Sequence, residues 1–162
     1  MQLEFSFIIP VYNRPDETQE LLESFVGGLK TDTNFEIVIV EDGSTLSSKS
    51  IVDAFKNKLD ISYYFKENSG PGDSRNYGMQ RAKGGNYFII LDSDCILPQQ
   101  YLSEVEKGLE VNYVDCFGGP DAAHQSFTNL QKAINFSMTS FITTGGIRGN
   151  KKKCGYLSAA KF

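Results

Sequence analysis

Runs of nearly continuous apolar residues at positions 5–11, 35–40 and 87–91 are separated by longer stretches whose apolar residues recur at helical spacing. Unbroken runs of this length fit strands covered on both faces. Stripes such as Leu21, Leu22, Phe25, Val26 and Leu29 fit helices that bury one side. Regular exchange of the two patterns predicts an α/β domain with three layers, α/β/α, around a mostly parallel sheet. At 162 residues the chain suits one compact domain that buries roughly two thirds of its unfolded surface.

The first strand closes at Pro10 and the turn Tyr12-Asn13-Arg14-Pro15. A helix follows, with Pro15 in its first turn and Asp16 and Glu17 at its positive end. After the second strand, Ser44 caps a helix carrying Ile51, Val52, Phe55 and Leu59. Residues 61–65 form a third, more polar strand, which places it near a sheet edge. A loop at 68–72 leads into a helix over about 73–82, and Gly84-Gly85 ends it before the fourth strand. Pro98 opens a helix with Tyr101, Leu102, Val105 and Leu109, and residues 114–117 read as a short strand. A last helix sets Phe127, Leu130, Ile134, Met138 and Phe141 on one face, as core. Beyond Thr143 the pattern dissolves, and the tail does not read as the end of a finished domain.

Several classes are disfavoured. There is no apolar run of 18 residues to span a membrane. The strand-like run already under way at residue 5 leaves no room for a signal peptide. Cys95, Cys116 and Cys154 are far apart with no CxxC pair, which argues for a reducing compartment rather than a zinc or disulfide framework. A net charge of −4 disfavours general nucleic-acid binding. Lys151-Lys152-Lys153, close to Arg148, fits a solvated loop, or a phosphate or anionic-lipid contact. His124, the sole histidine, has no ligand-forming companion in the sequence and fits a structural or solvated role.

In open parallel sheets, ligands bind beyond the carboxyl ends of the strands. Four features fall there: residues 10–13, Glu41-Asp42-Gly43-Ser44, the glycine-rich stretch from Gly70 to Asn76, and Asp92-Ser93-Asp94. If extended geometry continues past Leu91, Asp92 and Asp94 share a face. Two carboxylates so placed repel unless a cation lies between them, and magnesium or manganese suits such oxygen ligands. The alternative is a turn cluster that only closes the strand. Glu41-Asp42-Gly43-Ser44 reads either as a tight turn or as an acceptor offered to a base or sugar. The glycines at 70 and 72 precede a helix start, where free N–H groups favour anions. Arg75 in the first helical turn is poorly placed for the helix dipole, which points to a ligand contact or to simple exposure.

Taken together, the four features resemble the inverting nucleotide-sugar glycosyltransferases of family two, which have the GT-A fold. The likeness runs from about Ser6 to Pro98 and more weakly through Gly119-Pro120. It rests on Ile8-Ile9-Pro10-Val11-Tyr12-Asn13-Arg14, Asp42-Gly43-Ser44, the stretch ending in Arg75-Asn76, and Asp92-Ser93-Asp94 followed by Pro98. The resemblance implies that Pro10, Tyr12 and Asp42 line a base and ribose pocket, with Asn13, Glu41, Gly70 and Ser93 beside them. Arg75 would contact the base or diphosphate, Asp92 the ribose or the metal, and Asp94 a Mg2+ or Mn2+ bridging both phosphates. The partners implied are a nucleoside diphosphate sugar, with uridine the commonest base, and a carbohydrate, lipid-linked or protein acceptor.

One departure from the family matters. The acidic pair that supplies the catalytic base has no counterpart, since Asp121 is the sole acid between Gly119 and Phe162 and comes too early. Residues 1–120 therefore read as the donor-binding core and 121–162 as the start of an acceptor side, with the base expected beyond Phe162. Such a portion is expected to expose apolar surface and self-associate. The expected location is the cytoplasm, with the inner membrane face open for a longer protein. Two other readings remain. One is a nucleotide-binding module without turnover. The other is a haloacid-dehalogenase-type phosphatase, because Asp92-Ser93-Asp94 also resembles its nucleophile motif. A Rossmann dehydrogenase is disfavoured, as no GxGxxG follows the first strand.

Overall fold

The computed structural model describes residues 4–29, 33–118 and 128–140. Among these residues there are four strands: β1 (Phe5–Val11), β2 (Phe35–Asp42), β3 (Ile61–Lys66) and β4 (Tyr87–Ile90). Five helices accompany them in the described residues: α1 (Pro15–Gly28), α2 (Lys49–Phe55), α3 (Pro71–Met79), α4 (Tyr101–Val111) and α5 (Asn129–Thr139). Contacts divide the chain into two units, Met1–Gln100 and Tyr101–Phe162.

In the first unit the strands form one all-parallel sheet in the order β3-β2-β1-β4. Alternate residues of β1 serve opposite faces. Phe7 meets Phe25 of α1 edge-on at 4.9 Å, with Phe35 close by at 5.5 Å. On the other face Ile8, Val38 and Val40 pack with Tyr77 and Met79 of α3. Gly78 permits that approach, since a Cβ there would stand 2.8 Å from the Ile8 side chain.

The chain builds β1, β2 and β3 outward in one direction, then returns to place β4 on the far side of β1. That reversal makes the β1–β4 junction the switch point of the sheet, where the loops diverge and leave a crevice.

Several expectations change. β4 is not covered on both faces: Tyr87 and Ile89 are buried, while Phe88 and Ile90 are 42% and 47% exposed. β4 is the sheet edge, and α3 lies over β1 and β2 rather than over β4. Ser44 does not cap α2, which starts at Lys49 with Ser48 in the cap position. Residues 114–117 form no strand. The helix after Pro98 begins at Tyr101, and Leu102, Val105 and Leu109 are buried as its periodicity requires. α5 forms, yet Leu130 and Ile134 are exposed, so its stripe is not core among the described residues. Phe127, Phe141, His124, Asp121, Gly119-Pro120, Cys154 and the lysines at 151–153 lie outside the described residues. No helix among the described residues is long and apolar enough to cross a membrane.

Candidate donor site at the carboxyl ends of the strands

β2 ends in two carboxylates that point opposite ways, as alternate strand residues must. Both are buried. Glu41 accepts hydrogen bonds from the Ser48 backbone N–H at 2.9 Å, from Ser47 Oγ at 3.1 Å and from the Tyr63 hydroxyl. Burial and the Glu41 carboxylate push the Tyr63 phenol up to about 12. Glu41, expected beside the ligand, thus ties the start of α2 to β3 and has no exposed surface.

Asp42 works on the other side. Its Oδ1 accepts from the Ser69 N–H at 3.0 Å and from Lys66 Nζ, and its Oδ2 accepts from the Gly70 N–H at 2.9 Å. Burial raises the carboxyl's affinity for its proton, but these donors outweigh it and hold Asp42 below the ordinary carboxylate range. Lys66 is raised in turn: burial opposes its charge, and Asp42 and Asp73 outweigh that cost. Asn68 Nδ2 donates to the Asp42 backbone carbonyl at 2.9 Å. Gly43, at φ +69°, passes so close to Asn68 that a Cβ would stand 2.6 Å from its backbone nitrogen. The Asp42 carboxylate therefore shapes the Gly70 loop from within.

Gly70 itself sits at φ +93° and caps α3, its carbonyl accepting from the Ser74 N–H and hydroxyl. Pro71 occupies the first turn, where its missing N–H costs nothing. α3 thus starts two residues earlier than expected. Arg75 lies past its first turn, and the dipole argument against it loses force.

The Asp92-Ser93-Asp94 segment is not an extension of β4. Strand pairing ends with the Leu91 N–H donating to Ile8 at 3.1 Å, and the chain then turns, the Cys95 N–H donating to Asp92 at 3.2 Å. Ser93 is buried at that turn. Both carboxylates stay exposed, each holding a guanidinium: Asp92 Oδ1 accepts from Arg75 at 2.7 Å, and Asp94 Oδ2 from Arg14 at 3.2 Å. The Arg75 Nε is buried with no hydrogen-bond partner among the described residues.

The end of β1 completes the rim. Tyr12 is 53% exposed, and Pro10 is half-buried. Asn13 adopts φ +53°, the one non-glycine residue in the left-handed region among the described residues. Its Oδ1 accepts from the Thr45 N–H and hydroxyl and from the Leu46 N–H, while its own N–H donates to Ser44 Oγ at 2.9 Å. Ser44 and Asn13 thus join the β1 and β2 loops. Arg14, Lys66 and Asn68 are three members that the sequence reading missed. For Arg14 a signal existed: a cation at the very start of a helix, the criterion that singled out Arg75.

As a cation site the residues fit. Asp92 and Asp94 supply hard oxygen ligands at an open position. Among the described residues no three His, Cys, Asp or Glu side chains gather into a cage.

A family model for glycosyl transferase family 2 matches residues 6–160. The chain belongs to that family. An uncharacterized glycosyltransferase from Rickettsia bellii is 36% identical over 107 residues, covering 66% of this chain and 15% of that protein. The poly(ribitol-phosphate) beta-N-acetylglucosaminyltransferase TarS of Staphylococcus aureus is 31% identical over 115 residues, 70% of this chain and 20% of that protein. The crystal structure of TarS 1-349 in complex with UDP-GlcNAc superposes with a TM-score of 0.64 at 29% identity, over 76% of this chain and 39% of that one. The fold is thus GT-A, as the sequence motifs implied, and family membership sets aside the phosphatase alternative. The chain spans 15% and 20% of the length of these two curated relatives.

Proposed function

We propose that this chain is the donor-binding portion of an enzyme that transfers a sugar from a nucleoside diphosphate sugar to an acceptor hydroxyl with inversion. The observation that carries the reading is the pair of exposed carboxylates, Asp92 and Asp94, at the switch point, with Arg14 and Arg75 beside them and the Gly70 loop at the start of α3. Uridine is the favoured base, and the TarS structures solved with UDP and with UDP-GlcNAc support it. Residues 1–120 would form the donor core, with the acceptor and the catalytic base belonging to the longer protein.

Each residue has a task under this reading. Tyr12, exposed, and Pro10, half-buried, offer apolar surface to a base. Asp42, through the Ser69 and Gly70 amides, fixes the loop where backbone meets the donor. Arg75 and Asp92 bind the ribose and diphosphate region, and Asp94 holds a Mg2+ or Mn2+. Such an ion, when bound, offsets the negative charge that develops on the departing phosphate. A carboxylate ~4 Å from a unit positive charge is attracted by roughly 4 kcal/mol at an effective dielectric of 20 and by about 1 kcal/mol in bulk water, so at such an open position the donor phosphates would share in holding the ion. Inversion requires the acceptor hydroxyl to lose its proton to a carboxylate on the opposite face, and help of that kind contributes about 10²- to 10⁴-fold.

Titration of the chain with UDP and Mn2+, beside an Asp94→Ala variant, tests the assignment. The expected result is Mn2+-dependent UDP binding that Asp94→Ala removes. Equal affinity in both proteins overturns it.

A further inference from the structure

Arg14 ends the first motif of the sequence but is given no role at the site there, and the residue before it is held on the rim by four hydrogen bonds. That residue is Asn13, which adopts the left-handed φ that asparagine tolerates better than other non-glycine residues and is held there by its bonds to the β2–α2 loop. A turn fixed this firmly leaves the following side chain little freedom in where it starts. The effect here is to aim the next side chain. Arg14 leaves the end of β1 and reaches across the switch point to Asp94, 80 residues on, at 3.2 Å.

Its surroundings do not suggest a purely structural ion pair. Arg14 is 48% and Asp94 54% exposed, and pairs this open contribute little to stability. The guanidinium also stands at the cap position of α1, where the dipole opposes a cation, with Glu17 Oε1 at 3.5 Å as its other acidic neighbour. A cation kept where the helix dipole opposes it, on the carboxylate assigned to the metal, points to a competitor for that carboxylate.

We infer that Arg14 is a donor-site residue with two positions. Without a divalent cation it neutralises Asp94. When Asp94 takes up the ion, the guanidinium is displaced by like charge and turns to the diphosphate of the nucleotide, which offers it a bidentate oxygen pair. Deepening the proposed function, this inference rests on Asp94 as the metal ligand.

Binding measured on the full chain tests it without sugar transfer. Free Mn2+ is followed by electron paramagnetic resonance. UDP and uridine are titrated calorimetrically with Mn2+ present, for the wild type, Arg14→Gln, Arg14→Lys and Asp94→Ala. In Arg14→Gln, Mn2+ alone should bind ~two- to fivefold more tightly, the range expected on losing an exposed competitor. UDP with Mn2+ should bind about tenfold more weakly, with uridine unchanged and Arg14→Lys intermediate. Unchanged Mn2+ affinity, or equal weakening of UDP and uridine, overturns the role of Arg14. If at the same time Asp94→Ala still abolishes the Mn2+ dependence, the proposed function stands and this inference alone fails. If Asp94→Ala binds Mn2+ and UDP as the wild type does, both fail together.

Discussion

Two acidic pairs end two strands of the same sheet, and they have opposite fates. Glu41 and Asp42 close β2 in the interior, and five identified donors from the chain serve their oxygens besides Lys66. Asp92 and Asp94 stand just beyond β4 in the open, each with one arginine. β2 is central and flanked by β1 and β3, so whatever follows it is roofed by the neighbouring loops. β4 is an edge strand at the switch point, and the chain turns away after it. A buried carboxylate must be satisfied by the protein itself, whereas an exposed one can await a ligand. The first pair is satisfied within the chain, and the second stays open to solvent.

The largest effect is expected where the buried pair is broken. Lys66→Ala leaves Asp42 buried without its countercharge and should destabilise the fold by about 3 kcal/mol, read by chemical denaturation. The pH profile carries the same signature. Asp42 is held below its ordinary value, so its contribution is present above the unfolded pKa of about 3.9 and is lost as pH falls through the lower folded value. Lys66 is raised, so its contribution is present below about 10.4 and is lost as pH rises through the higher folded value. Asp42→Asn should flatten the acid limb of the stability curve. An unchanged limb would mean that Asp42 is as replaceable as Asp94.

A smaller effect separates two glycines of the same region. Gly43 and Gly70 both have positive φ, but only Gly43 also lacks room for a Cβ. Gly43→Ala combines strain with overlap on the Asn68 backbone and should cost about 2–3 kcal/mol, while Gly70→Ala carries strain alone, about 1–2 kcal/mol. Equal losses in thermal denaturation would show that the Asn68 loop yields freely, and that Asp42 does not hold it.

The sequence made the parallel sheet and its strand ends legible, because apolar runs and helical stripes depend on local pattern alone. Its edges were less so. The Phe88-Ile89-Ile90 run reads as doubly covered, yet what covers a strand is decided by the reach of α3, a tertiary fact. Asp42 and Glu41 were found as chemistry-bearing residues, but nothing local distinguishes an acceptor offered to a ligand from one consumed by Ser69, Gly70 and Lys66. Arg14 was within reach of the same helix-start argument applied to Arg75, and the argument fitted Arg14 better once α3 proved to begin at Pro71. Ser44 was misread because a serine before a helical stripe fits a cap wherever the helix begins. Its hydroxyl instead serves Asn13, 31 residues away.

The smallest effect is the one that most sharpens the contrast. Asp94→Asn keeps the shape of the side chain and removes its charge. The Asp94–Arg14 pair is open to solvent, and exposed pairs contribute little, so the thermal midpoint should move by at most about 4 °C. A carboxylate built into the fold could not be neutralised so cheaply, as the Lys66–Asp42 pair should demonstrate. A large loss of stability from Asp94→Asn would therefore erase the distinction between the two strand ends. It would make Asp94 a structural residue that happens to lie at the switch point, and Arg14 its ordinary partner.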